Sequence, residues 1–154
     1  YKQKILFDEA RRRFLKYYFP YHKKVKYFLN KIKREHNVAI AIDCHSMSSE
    51  IVSDSVDIVL SDNLGKTTDN KYLKLLKKIF SDYGYSVKVN DPFIGGFITK
   101  YYGNPSKNIH VIQVEINKKI YLNENNFIIK DDNFVILKNC FLSIINYINN
   151  YLVQ

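Results

Sequence analysis

Apolar positions along the chain change period several times, and each change marks an element. After Asp8, a residue suited to capping a helix, Phe14, Leu15 and Tyr18 recur at helical spacing. Pro20 interrupts that pattern and suits the first turn of a second helix, expected to reach about Glu35 with Val25, Phe28, Leu29 and Ile32 on one face. Val38 to Ile42 is a short unbroken apolar run, the form a buried parallel strand takes. Val56 to Leu60 reads as a second strand despite Asp57. Leu73, Leu76 and Ile79 give Tyr72 to Phe80 a helical period, and Gly84 follows as a stop signal. Ser86 to Val89 is another short strand, Asp91 to Pro105 a loop rich in Gly and Pro, Ile109 to Ile116 a strand, and Asn133 to Tyr151 a terminal helix.

Strands alternating with helices predict the α/β class: a mostly parallel or mixed sheet flanked by helices, with residues 1–154 as one domain. No repeat, linker or low-complexity tract interrupts it. Ligands in such sheets gather beyond the carboxyl ends of the strands. That rule selects Asp43 to Glu50, Asp91 to Gly103 and the surroundings of Glu115.

Composition sharpens this picture at a few points. With 154 residues, 46% hydrophobic and 25% charged, the chain has the size and core content of a single domain. Its 13 Tyr and 10 Phe exclude intrinsic disorder. No run approaches the ~18 consecutive apolar residues of a membrane span. Cys44 and Cys140 make no disulfide framework, and Tyr1 to Asp8 carries no signal-peptide pattern, so a reducing, cytoplasmic location is expected. The net charge is +9, from 24 Lys and Arg against 15 Asp and Glu. Its excess clusters near the N-terminus, in Arg11 to Arg13, Lys16, Lys23, Lys24 and Lys26, interleaved with Tyr17, Tyr18, Tyr21 and Tyr27. Such a surface suits nucleic acid, yet no nucleic-acid-binding motif accompanies it, and a solvated helix face is the plainer reading.

Two polar residues stand out against the apolar strands. His45, in Asp43-Cys44-His45-Ser46, follows the first strand, where a neutral imidazole can reach into a crevice and ligate zinc, with Asp43 orienting the ring. A lone His is more often structural, and Ser46 lacks the glycines of a nucleophile elbow. Glu115 lies in Val111-Ile112-Gln113-Val114-Glu115-Ile116, where alternation sets Gln113 and Glu115 on one face. On a central strand such a carboxylate is costly to bury unless paired or functional, and a raised pKa would suit general-base work. On an edge strand it would simply face solvent. Gly95-Gly96 permits a tight loop with backbone amides open to an anion, and Lys100 could hold a substrate carboxylate. Cys44 reads as a small buried residue.

Taken together these segments resemble the N-formylglutamate amidohydrolase family, zinc hydrolases related to the zinc carboxypeptidases. The resemblance rests on Tyr18-Phe19-Pro20-Tyr21-His22, Ala41-Ile42-Asp43-Cys44-His45-Ser46-Met47, Asn90-Asp91-Pro92-Phe93-Ile94-Gly95-Gly96-Phe97-Ile98-Thr99, Tyr102-Gly103-Asn104-Pro105 and His110-Val111-Ile112-Gln113-Val114-Glu115-Ile116-Asn117, and covers nearly the whole chain. It implies a zinc-carboxypeptidase-like α/β fold and hydrolysis of an N-acyl amino acid, N-formyl-L-glutamate to formate and L-glutamate. It implies Zn2+ as cofactor with His45 as one ligand, Glu115 as the catalytic carboxylate, Gly95, Gly96 and Lys100 as substrate contacts, and Asp43 and Gln113 as their supports. Where the family pattern has arginine, Lys100 and Lys118 stand here, and lysine lacks the bidentate fork. The family's other two ligands come from an N-terminal motif that nothing in Tyr1 to Asn37 matches, so the chain is expected to be the C-terminal part of such an enzyme. The alternatives are an inactive remnant or binding module, and a basic nucleic-acid-binding domain.

Overall fold

Six strands and five α-helices build the described residues, 4–53 and 55–152, in a computed structural model. Residues 1–3 of the N-terminal stretch read above lie outside the described residues. Helix α1 (Phe7–Arg13) continues through a π-helical turn at Phe14–Tyr18 into α2 (Phe19–His36). Pro20 therefore sits in the first turn of α2, as its fixed φ favours, without breaking the helical path. Asn37 closes α2 in the left-handed conformation, at φ 60°.

Next come β1 (Ala39–Met47), β2 (Ile58–Ser61), α3 (Asn70–Asp82), β3 (Val87–Val89), α4 (Phe97–Tyr102) and β4 (Ile109–Asn117). A two-stranded ribbon, β5 (Leu122–Asn123) and β6 (Ile128–Ile129), precedes α5 (Asp131–Leu152). The main sheet has the order β1-β4-β2-β3. β1 pairs with β4 and β2 with β3 in parallel, while β2 runs antiparallel to β4, so the sheet is mixed.

Two apolar layers hold the sheet. On one face Ile58, Leu60, Ile112 and Val114 pack against Leu76, Ile79 and Phe80 of α3 and Cys140 and Ile144 of α5. Burying each large side chain there contributes about 1.5–3 kcal/mol. On the other face Leu29 of α2 and Tyr102 of α4 cover Ala39 and Val111, with Val25, Ile32 and Ile98 beside them. Phe28, expected on this stripe, is half exposed instead.

Two elements next to β4 differ from the sequence expectation in ways that bear on the site. β1 does not stop at Ile42 but runs through Asp43-Cys44-His45-Ser46, because its pairing with β4 continues to Met47 opposite Asn117. The stretch from Asp91 to Pro105 contains α4, whose aromatic and β-branched residues have poor helix propensity. Packing of Ile98, Thr99 and Tyr102 holds it against the sheet. No helix among the described residues is long and apolar enough to cross a membrane.

Candidate functional site

In a parallel pair, residues in register point to the same face. The register sets Asp43 opposite Gln113 and His45 opposite Glu115. Further back along that face, Ala39 and Val111 lie under α2 and α4. Past the helices the same face carries polar residues, at the carboxyl ends of β1 and β4. Alternation in two strands, together with their register, thus gathers four side chains that are 70 residues apart in sequence (43 against 113, 45 against 115).

Glu115 is 7% exposed. β4 is interior, between β1 and β2, so the solvent-facing edge position considered for Glu115 does not arise. Burial pushes its pKa above the ordinary carboxylate value, and the nearby Asp43 carboxylate adds to the rise. The facing His45 and a hydrogen bond from Gln113 pull the other way without cancelling it. That bond runs from Gln113 Nε2 to Glu115 Oε1 at 2.8 Å. The other end of the Gln113 amide accepts from the Gly96 N–H at 2.5 Å. Gln113 is therefore fixed at both ends, with its donor end turned to Glu115.

On β1, the His45 ring is half exposed, and its Nε2 lies 3.2 Å from Asp43 Oδ2. That approach lacks hydrogen-bond alignment, for Oδ2 is a buried oxygen with no hydrogen-bond partner among the described residues. A buried carboxylate oxygen without a partner is uncommon and marks this position as one that a further group would satisfy. Cys44, on the opposite face, is exposed rather than buried.

The loop before α4 carries Gly95 and Gly96. Gly95 adopts φ 111°, which L side chains rarely reach. A Cβ at Gly96 would stand 3.1 Å from Gln113 Oε1. The Gly96 amide is committed to Gln113 rather than left open, so the glycine pair acts on Glu115 through that side chain. A latch missed in the sequence holds this loop. Asn90 Nδ2 donates to Asp62 Oδ1 at 2.8 Å, and the Asp62 N–H donates back to Asn90 Oδ1 at 3.1 Å. Ser61 Oγ donates to the Phe93 carbonyl at 2.6 Å. The sign in the sequence was Asn90 ahead of Asp91-Pro92, since Asn tolerates the φ of 55° found there.

Lys100 lies exposed in the last turn of α4 and makes no ion pair among the described residues. The structure does not bring it against Glu115 or His45. Among the described residues no three His, Cys, Asp or Glu side chains converge to hold a metal ion. One imidazole and its neighbouring carboxylates do not by themselves fit a catalytic zinc centre, which takes three protein ligands.

A family model, N-formylglutamate amidohydrolase, matches residues 1–122. Two curated relatives named N-formylglutamate deformylase are similar over 122 residues: one from Pseudomonas putida at 31% identity, one from Pseudomonas aeruginosa at 32%. Each match covers 75% of this chain and 46% of the relative, so the chain spans about half the length of the curated relatives it matches. The crystal structure of N-formylglutamate amidohydrolase from Ralstonia eutropha JMP134 has the same fold, with a TM-score of 0.87 at 24% identity, over 99% of this chain and 57% of that one.

Proposed function

The chain belongs to the N-formylglutamate amidohydrolase family, and from that premise we propose that it carries the proton-transfer part of an amide-hydrolysing site whose substrate is N-formyl-L-glutamate. The observation that carries this reading is the buried Glu115 carboxylate, facing His45 across the register and held by Gln113. In the proposed reaction a water oxygen attacks the formyl carbon while Glu115 takes the water's proton. The C–N bond then breaks, and Glu115 passes that proton to the leaving amine, giving formate and L-glutamate. A carboxylate with a raised pKa serves both steps, because it accepts a proton readily and still gives it up. Gln113 aims the carboxylate, and Asp43 lies 3.2 Å from His45 Nε2, where a hydrogen bond would orient the ring. Exposed Lys100 is proposed as the partner of a substrate carboxylate, with the Gly95-Gly96 loop as the pocket wall.

Zinc is the cofactor proposed with this activity. His45 can share in such a centre but cannot create it, so the remaining ligands would have to lie beyond the described residues. The test is formate release from N-formyl-L-glutamate, with zinc content measured in parallel on the full protein and on His45→Ala. Turnover with near-stoichiometric zinc, both lost in the variant, is the expected result. Turnover that survives His45→Ala with zinc content unchanged would remove His45 from the site.

A further inference from the structure

We propose a second ligand site on the α2–α4 face, built for a planar aromatic anion of the aryl carboxylate class. It is independent of the amidohydrolase reading. A cavity of about 380 Å3 opens there, within the size range of small-molecule sites. Its walls are rings from three segments: the π-helical turn, the start of α2, and α4. Phe14 and Tyr18 stack at 4.6 Å with their planes 23° apart, and Phe97 and Tyr101 stack at 5.0 Å and 14°. His22 joins the two pairs, 4.1 Å from Tyr18 and 5.4 Å from Phe97 between ring centroids.

Phe14, Tyr18, Phe97 and Tyr101 are each exposed, unusual for four large rings around one hollow. A flat aromatic guest in the cavity would cover these exposed rings. The polar groups then set its charge. His22 Nδ1 and the Tyr102 hydroxyl lie 2.7 Å apart, and that hydroxyl donates to the His22 carbonyl at 3.1 Å, so these two are largely spent on each other. Lys23 and Lys26 line the cavity and make no ion pair among the described residues. Two unpaired ammonium groups beside ring walls select an anion over a neutral or cationic guest. The π-helical turn supports the same view, because such turns occur frequently at functional sites and this one supplies Phe14 and Tyr18.

The test titrates the full chain with 2-naphthoate, 2-naphthamide and the saturated decahydro-2-naphthoate by calorimetry. One naphthoate per chain is expected, with the amide and the saturated acid each at least about tenfold weaker. Lys23→Gln with Lys26→Gln should weaken naphthoate at least about tenfold and leave the amide unchanged, and Tyr101→Ala should weaken both aryl probes. All three positions are exposed, and circular dichroism checks the fold of the variants. Absence of saturable naphthoate binding at millimolar concentration, equal affinity for naphthoate and naphthamide, or naphthoate binding that both variants leave undiminished would each overturn the proposal.

Discussion

Gln113→Leu removes an amide that is bonded at both ends, and the structure sets how the loss depends on pH. The bond from the Gly96 N–H is neutral and contributes about 1 kcal/mol. The bond to Glu115 is charge-assisted when Glu115 is ionised, contributing about 1.5–3 kcal/mol, and about 1 kcal/mol when it is protonated. The variant should therefore be less stable by about 2 kcal/mol in acid and by about 2.5–4 kcal/mol above the Glu115 titration. The sign follows from linkage. The folded pKa of Glu115 is raised, so its contribution to stability is present at low pH and lost as pH rises through the folded value. Removing Gln113 takes away a bond that favours the charged form, which raises that pKa further and enlarges the loss. Urea denaturation of both proteins from about pH 4 to about pH 8 measures the difference, and groups that titrate alike in both cancel. With a slope of about 2 kcal/mol/M, the midpoint falls by about 1 M in acid and by up to about 2 M once the pH exceeds the Glu115 titration. A difference that stays constant across this range, or narrows as pH rises, would refute the coupling of Gln113 to an ionisable Glu115.

Three further substitutions probe the frame around the site. Gly103→Ala drives a Cβ into Thr67 Cβ and to 2.8 Å from the Thr99 carbonyl, so α4 must shift, and a loss of about 3 kcal/mol or more is expected in urea denaturation. Leu76→Ala, in the fully buried layer between α3 and the sheet, should cost about 2–5 kcal/mol and lower the thermal midpoint accordingly. Tyr102→Phe deletes the hydroxyl shared with His22 and should cost about 1–2 kcal/mol by the same denaturation measurement, with unchanged far-ultraviolet dichroism.

Much of this architecture was legible from period alone. The stripe of α2, the apolar run opening β1 and the long apolar β4 follow from burial on one face or two. The carboxyl-end rule then selected the neighbourhoods of His45 and Glu115. The register that makes them neighbours was not legible, because strand pairing is long-range and no local pattern encodes which strands meet. Polar residues at Asp43 to Ser46 hid the second half of β1, since a functional strand end breaks the apolar run that identifies a strand. α4 was hidden for a related reason: tertiary packing outweighs the low helix propensity of Phe97 to Tyr102. Gly95-Gly96 read as an open anion cradle, whereas the Gly96 amide is engaged by Gln113, a partner 17 residues away that only the folded loop reveals.

The central claim is that Glu115 moves the proton in amide hydrolysis. It is tested most directly by comparing formate release from N-formyl-L-glutamate by the full protein and by Glu115→Gln, with substrate binding measured separately. Glutamine keeps the shape of the side chain and cannot accept the proton. The account predicts unchanged folding, retained substrate binding and a fall in turnover of about two to four orders of magnitude. Turnover in Glu115→Gln within a fewfold of the parent would contradict it.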